Sequence, residues 1–149
     1  MELVIFSGIQ CSGKSTYYHH RFAKTHFRIN LDELKTRHKE WTLYAATLHK
    51  NLPVVIDNTN PTRLDRAKYI DQAKACGYRI VGFQFDIPIA VALTRSANRT
   101  SQKVVPPGEI HITSRKMQPL IASEGFNEMF VVSIGDGDLH SFFKVEKFG

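Results

Sequence analysis

The chain is poor in cysteine and lacks long apolar segments, and both absences narrow its class. Its 149 residues include two cysteines, Cys11 and Cys76, which are too few for the disulfide framework of a small secreted protein. No apolar run approaches the roughly 20 residues that a membrane helix needs. The first residues, Met1–Gly8, lack the basic region and long apolar stretch of a secretory signal peptide. We therefore expect reduced thiols, a cytoplasmic location and no membrane partner.

The sequence also lacks internal repeats, low-complexity segments and a linker. Hydrophobic residues make up 42% and charged residues 23% of the chain, which is ordinary for a globular protein. This length and composition predict one domain over residues 1–149. The formal net charge of +6 is compatible with an anionic partner, such as nucleic acid or another phosphorylated substrate, and equally with an ordinary basic surface.

Short apolar runs alternate with amphipathic segments along the chain. Strands are predicted at Glu2–Ser7, Phe27–Asn30, Pro53–Asp57, Tyr78–Phe85 and Met129–Ile134, with a terminal edge strand at Phe142–Val145. Helices are predicted at Lys14–Lys24, Asp32–Arg37, Thr62–Cys76, Pro88–Arg99 and Glu109–Pro119. Trp41–Asn51 either continues the Asp32–Arg37 helix or starts a new one. The alternation predicts a three-layer α/β fold with helices on both faces of a mainly parallel, five-stranded sheet. Gly135–Asp138 predicts a hairpin turn, and Thr100–Gly108 predicts a mobile loop.

The segment after the first predicted strand has the pattern of a phosphate-binding loop. Residues 8–15 read GIQCSGKS, which matches GxxxxGK[ST] between a strand and a helix. Gly8 and Gly13 permit backbone conformations that turn the loop amides toward phosphate oxygens, and the helix N-terminus adds its positive end. Lys14 is expected to reach the β- and γ-phosphates, and the Ser15 hydroxyl is expected to bind Mg²⁺.

This pattern predicts that the chain binds ATP with Mg²⁺. The candidate nucleotide-binding residues of the loop are Gly8, Gln10, Cys11, Ser12, Gly13, Lys14, Ser15 and Thr16. Cys11 has two interpretations: a redox-sensitive thiol, because a helix N-terminus lowers a thiol pKa, or a small residue tolerated at a variable loop position.

A polar segment, Asp57-Asn58-Thr59-Asn60, follows the third predicted strand. The carboxyl end of a buried parallel strand faces the ligand crevice of an α/β sheet. Asp57 is therefore a candidate magnesium residue together with Ser15. The alternative is a turn residue before Pro61, for which the Asp-Asn pair is well suited.

Asp32 follows the second predicted strand at the start of a helix. It is either a general base that accepts a hydroxyl proton, or a residue that stabilises the helix N-terminus. Lys35, one turn further on, either holds an anionic group of the acceptor or is a solvated charge.

Arg95 and Arg99 are four residues apart at the end of the fifth predicted helix, just before the Thr100–Gly108 loop. They fit a short lid that closes over ATP and stabilises the charge that develops during phosphoryl transfer. The alternative is compensation of the helix dipole at its C-terminus.

Several segments together resemble the kinase domain of polynucleotide 5′-hydroxyl kinases and the small bacterial kinase-like proteins related to them. The similar segments are Gly8–Thr16, Arg28–Asp32, Asp57–Pro61, Arg66–Gly77, Arg95–Arg99 and Ser123–Phe126. The resemblance implies that Asp32 is the general base, that Lys14 and Arg99 contact the ATP phosphates with Arg95 beside them, and that Ser15 binds magnesium.

The resemblance also implies that the acceptor lies beside Asn58, Thr59 and Asn60. The family often has arginine where Lys35 stands, and lysine lacks the bidentate fork of arginine. The expected activity is ATP- and magnesium-dependent phosphorylation of a 5′-hydroxyl end of DNA or RNA. Two alternatives stay open: a kinase with a small-molecule acceptor, and an ATP-binding switch whose nucleotide state controls a partner.

Overall fold

The computed structural model describes residues 1–100, 104–134 and 143–149. The strands are Glu2–Ser7 (β1), Phe27–Ile29 (β2), Val54–Ile56 (β3), Arg79–Phe85 (β4), Glu128–Ile134 (β5) and Phe143–Phe148 (β6). The helices are Lys14–Arg21 (α1), Leu31–Leu34 (α2), Arg37–His49 (α3), Arg63–Ala75 (α4), Ile89–Ala97 (α5) and Pro107–Lys116 (α6), with a 3₁₀ turn at Ala122–Glu124. No helix within the described ranges is long and apolar enough to cross a membrane.

The strands form one sheet in the order β2-β3-β1-β4-β5-β6. All pairs are parallel except β5 with β6, which run antiparallel. The predicted three-layer α/β fold with a mainly parallel sheet is confirmed, but the sheet has six strands rather than five. The sixth is the edge strand expected at Phe142–Val145, which occupies Phe143–Phe148, and the hairpin turn predicted at Gly135–Asp138 lies outside the described residues.

Successive residues of the central strand β1 are buried on alternating faces of the sheet. Leu3 and Ile5 pack into one core with residues of α3 and α4, while Val4 and Phe6 pack into a second core with residues of α1. All four side chains are fully buried. Because successive side chains of a strand point to opposite faces, a continuous apolar run is what a strand covered on both faces requires.

The helix predicted at Asp32–Arg37 is divided in the structure. Helix α2 ends at Leu34, and Lys35 takes a left-handed backbone conformation with φ of 73°. Thr36 then caps α3, because its side chain accepts a hydrogen bond from the backbone amide of Lys39. The chain therefore turns between Asp32 and Arg37, and the two residues belong to different helices.

The predicted lid also differs from expectation in its bounds. Helix α5 ends at Ala97, so Arg99 lies in the turn that follows it. Residues 101–103 of the predicted Thr100–Gly108 loop lie outside the described residues, and its last two residues already belong to α6.

Candidate active site

A cavity of about 480 Å³ opens where β1, β2 and β3 end, within the size range of small-molecule sites. Since these strands are neighbours and parallel, their carboxyl ends meet at one edge of the sheet. The lining residues are Gln10, Cys11, Ser12, Gly13, Lys14, Ser15, Thr16, Asn30, Leu31, Asp32, Arg37, Asp57, Asn58, Thr59, Asn60, Pro61, Asp65, Lys68, Tyr69, Arg99, Val105, Glu109, Thr113 and Lys116.

The ammonium group of Lys14 is held by carbonyl oxygens of the phosphate-binding loop. Its Nζ donates hydrogen bonds to the carbonyl oxygens of Gly8, at 2.9 Å, and Ile9, at 2.6 Å. Burial lowers the pKa of Lys14 to about 8, while the nearby carboxylates of Asp57 and Asp32 act in the opposite direction. Both carboxylates therefore favour the charged form of Lys14, which is the form that attracts a phosphate.

The backbone of the loop has the curvature expected of a phosphate cradle. Cys11 and Gly13 both have positive φ, at 61° and 96°. Gly13 is the N-cap of α1, and no side chain caps this helix start within the described residues, so its amides are available to an anion. At Gly8, an added Cβ would lie 2.7 Å from that of Phe85, which explains the requirement for glycine.

Ser15 and Asp57, the two predicted magnesium residues, are in contact. The Ser15 hydroxyl donates to Oδ2 of Asp57 at 3.1 Å, and Asp57 is almost fully buried. A hydroxyl and a carboxylate beside a phosphate-binding loop are the oxygen ligands that Mg²⁺ takes when phosphates supply the rest. The donor set therefore fits this ion.

Arg28 joins these two residues, and sequence reasoning missed it. Its Nε donates to Oδ2 of Asp57 at 2.8 Å, its Nη2 donates to the Ser15 hydroxyl at 2.7 Å, and its Nη1 pairs with Glu33. The available signal was a cation in a short strand, two residues before the polar Asn30. Only the pairing of β2 with β3 shows that this cation reaches Asp57.

Asp32 lies at the cavity as the second residue of α2. The helix cap is Asn30, whose side chain accepts from the amide of Glu33 at 3.1 Å, so Asp32 is not needed as the cap. The Asp32 carboxylate is exposed and has no hydrogen bond or ion pair within the described ranges. It is therefore free to accept a proton from a bound hydroxyl.

The segment after β3 holds the other parts of the site together. Asn58 accepts a hydrogen bond from the amide of Leu31 at 2.8 Å. The carbonyl of Thr59 accepts from the amide of Gly8 at 2.9 Å, and the buried Asn60 donates to the carbonyl of Phe6 at 2.8 Å. The three predicted acceptor residues line the cavity while connecting the phosphate loop to α2.

The remaining predicted cations have different positions. Arg99 is exposed and lines the cavity, and its charge contributes to the lowered pKa of Lys14. Arg95 lies behind the loop, with Nη1 at 3.5 Å from the carbonyl of Cys11, and does not line the cavity. Lys35 is exposed and also lies outside the lining residues, whereas Arg37 and Lys68, which sequence reasoning did not consider, are among them.

The parallel sheet, the phosphate-binding loop after β1 and the polar carboxyl ends of β2 and β3 define a P-loop kinase-like domain. A family model described as "AAA domain" matches residues 3–118. The chain belongs to this family, and the similarity to polynucleotide kinases that its motifs indicated is confirmed.

The comparison with curated proteins finds a bifunctional polynucleotide phosphatase/kinase of Schizosaccharomyces pombe. It is 33% identical over 130 residues, which cover 87% of this chain and 29% of that protein. The chain therefore spans less than a third of the length of this relative.

Solved structures show the same fold. Kti12 of Chaetomium thermophilum, determined in complex with ADP-AlF3, has a TM-score of 0.69 at 16% identity, with 91% of each chain covered. A gluconokinase from Sinorhizobium meliloti has a TM-score of 0.62 at 18% identity, with 91% of this chain and 84% of that chain covered. At these identities the likeness concerns the fold alone.

Proposed function

We propose that the protein is an ATP- and magnesium-dependent kinase that phosphorylates the 5′-hydroxyl end of DNA or RNA. The observation that carries the proposal is the unpaired Asp32 carboxylate, which lines the same cavity as Lys14. A carboxylate and an ammonium group in one crevice support the proposal, because a kinase needs a proton acceptor and a phosphate-binding cation close together. The similarity to a polynucleotide phosphatase/kinase over 87% of the chain supports a polynucleotide as acceptor.

The proposed roles follow from the geometry. The amides of residues 8–15 and the ammonium of Lys14 bind the phosphates of ATP, with Arg99 approaching from the turn after α5. Asp32 accepts the proton of the acceptor hydroxyl as its oxygen attacks the γ-phosphorus and the β–γ bridging oxygen leaves with ADP. Ser15 and Asp57 would hold Mg²⁺, which neutralises phosphate charge when bound.

The acceptor would lie in the cavity beside α2 and the segment after β3, which both line it. Asn58 fixes the start of α2 through the Leu31 amide, so the position of Asp32 depends on the loop that also contacts the acceptor. The two free cysteines, Cys11 and Cys76, fit an enzyme that acts in the reducing cytoplasm.

A kinase with a small-molecule acceptor is the second candidate, because a cavity of about 480 Å³ is also of the size that encloses a small ligand. Both candidates require the same phosphate loop and the same base. They differ in the acceptor, which transfer assays identify directly.

Transfer of labelled γ-phosphate from ATP with Mg²⁺ tests the proposal, with 5′-hydroxyl DNA and RNA oligonucleotides as acceptors and 5′-phosphorylated oligonucleotides as controls. We expect label on 5′-hydroxyl ends, and a loss of about 10²- to 10⁴-fold in rate for Asp32→Asn with unchanged ATP affinity. Asp71→Asn is the matched control, because Asp71 is exposed on α4 outside the cavity.

Two results would contradict parts of the proposal. Full activity of Asp32→Asn would show that Asp32 is not the general base, whatever the acceptor. Label on no oligonucleotide, with ATP binding intact and a metabolite labelled instead, would assign the chain to the small-molecule kinases.

A further inference from the structure

A buried carboxylate on α3 has no role in the proposed reaction. Glu40 is fully buried, and burial of a carboxylate costs free energy unless it is paired and hydrogen-bonded. Nη1 of Arg37 and the hydroxyl of Tyr69 donate to its Oε1 at 3.0 and 2.7 Å. Nδ2 of Asn58 donates to its Oε2 at 2.7 Å. An apolar side chain of similar volume would fill the same place on α3 without this cost, so packing alone does not explain a carboxylate here.

The two donors on Oε1 hold the carboxylate of Glu40 in place. Burial raises the pKa of Tyr69, and the hydrogen bond to Glu40 raises it further, so the Tyr69 hydroxyl remains a donor at neutral pH. The guanidinium of Arg37 supplies the compensating positive charge. An ionised carboxylate accepts hydrogen bonds and donates none. Glu40 therefore presents its second oxygen to Asn58 as an acceptor.

The side-chain amide of Asn58 lies between this acceptor and a donor. Its Oδ1 accepts from the backbone amide of Leu31 at 2.8 Å, and a backbone amide can only donate. One orientation of Asn58 satisfies both neighbours, with Nδ2 toward Glu40 and Oδ1 toward Leu31. The reverse orientation would place donor against donor and acceptor against acceptor. Glu40 thus selects which atom of Asn58 faces α2.

Helix α2 depends on polar contacts for its position, because none of its four residues is fully buried. Amides at a helix start have no partner within the helix. The Leu31 amide bonds to Asn58, and this contact leads to the buried charge of Glu40. The Glu33 amide bonds to Asn30, which is held by a backbone carbonyl of the segment after β3. Of these two connections, the one through Asn58 therefore depends on a side chain of another helix.

We propose that Glu40 is a positioning residue that fixes the orientation of Asn58, and through it the start of α2, the helix that carries Asp32. The connection to α2 belongs to the fold, and its effect on catalysis rests on the proposed function, in which Asp32 is the base. Glu40 does not line the cavity, so it acts through Asn58 and not on a substrate. A displacement of about 1 Å can cost about 10²-fold in rate.

Glu40→Met removes the acceptor and keeps a side chain of similar length. Hydrogen exchange of the Leu31 amide, followed by NMR, reports the bond to Asn58 and requires no enzymatic activity. We expect this exchange to be about 3- to 10-fold faster than in the wild type. We also expect kcat for phosphoryl transfer to be about 10²-fold lower, with an unchanged KM for ATP. Glu40→Gln should lie between, because its carbonyl oxygen can still accept from Asn58.

Tyr44→Phe is the matched control for a general loss of stability. Tyr44 is also fully buried, one turn after Glu40 on α3, and its hydroxyl donates to the backbone carbonyl of Tyr69 at 2.7 Å. The variant loses one buried hydrogen bond without a change at Asn58. Its melting temperature should therefore fall, while Leu31 exchange and kcat keep their wild-type values.

An exchange of the two functional groups tests the direct contact between Glu40 and Asn58. Asn58→Asp alone places two carboxylates against each other. In the double variant Glu40→Gln/Asn58→Asp, the amide at position 40 can donate to the carboxylate at position 58, whose other oxygen accepts from Leu31. We expect Leu31 exchange in the double variant to be slower than in Asn58→Asp and close to that of the wild type.

Three outcomes would overturn the proposal: unchanged Leu31 exchange in Glu40→Met, an equal acceleration in Tyr44→Phe, or a double variant no better protected than Asn58→Asp. A different result would contradict the kinase scheme alone. Faster Leu31 exchange in Glu40→Met with an unchanged kcat would keep the connection from Glu40 to α2 and remove Asp32 from catalysis. Because exchange requires no turnover, it decides the connection even if no acceptor is phosphorylated.

Discussion

The ion pair between Arg66 and Glu124 offers a quantitative test of what holds the site together. Arg66 is fully buried on α4, and Glu124 belongs to the 3₁₀ turn before β5. The guanidinium donates to both carboxylate oxygens, at 2.8 and 3.0 Å. Its Nη1 also donates to the carbonyl of Asn60 at 2.9 Å. Arg66 therefore supports the segment that contacts the phosphate loop.

Removing one partner leaves a buried charge without compensation, which costs about 3–5 kcal/mol. We therefore expect Arg66→Met and Glu124→Leu each to lower the free energy of unfolding by about this amount. The double variant removes both charges, so its loss should be smaller than that of either single variant and well below their sum. A residual loss of about 0.5–1.5 kcal/mol remains, because the Asn60 carbonyl loses one of its two side-chain donors and keeps only the Ser7 hydroxyl.

Urea denaturation of the wild type and the three variants forms a double-mutant cycle that measures the coupling. We expect the double variant to be at least about 2 kcal/mol more stable than additivity predicts, because the loss from an orphaned buried charge occurs only when one partner stays. Additive losses within about 0.5 kcal/mol would refute the reasoning, since they would mean that neither group depends on the other for its charge.

Two further predictions concern the charges around the phosphate loop. Burial lowers the pKa of Lys14 from 10.5 to about 8. Between these two pH values, Lys14 is therefore protonated in the unfolded chain and deprotonated in the folded chain. The free energy of unfolding should therefore increase by about 3 kcal/mol, owing to this residue, as pH rises from 8 to 10.5. Urea denaturation at several pH values measures this increase, and the same pH dependence in Lys14→Met as in the wild type would contradict the prediction. Arg28 donates to the Asp57 and Ser15 oxygens that the proposed Mg²⁺ would use, so Arg28→Gln should lower the melting temperature without Mg²⁺ and increase the rise that Mg²⁺ produces. Identical magnesium titrations of the melting temperature for the variant and the wild type would refute the expected competition.

The parts of the molecule that could be predicted from sequence are those whose determinants are local. The phosphate loop is recognisable from residues 8–15 alone, because Gly13 permits the backbone at the helix start and the next two residues supply the chemistry. The layered fold follows from alternating apolar strands and amphipathic helices. Neither prediction requires knowledge of which distant segments touch.

The parts that sequence missed depend on contacts between distant segments. Arg28 reaches Asp57 only because β2 pairs with β3, and the carboxylate that orients Arg37 is recognisable only once Glu40 is seen to be buried. The position of Lys35 shows how a small error in helix bounds changes a site. A continuous helix would have placed Lys35 one turn after Asp32, but α2 ends at Leu34 and the cavity receives Arg37 instead.

The polar segment after β3 explains why so much of the site depends on four consecutive residues. The backbone carbonyl of Asp57 accepts from the residue that caps α2, and Asn58 contacts both α2 and the buried carboxylate of α3. Thr59 and Asn60 contact the end of β1 and the start of the phosphate loop. Substitution of Asn58 or Asn60 should therefore break contacts made by their side chains, whereas Asp57 and Thr59 make these connections through backbone carbonyls. Asn58 is then the residue at which the position of α2 can be uncoupled from that of α3, because it alone among the four contacts both helices within the part of the chain that the structure describes.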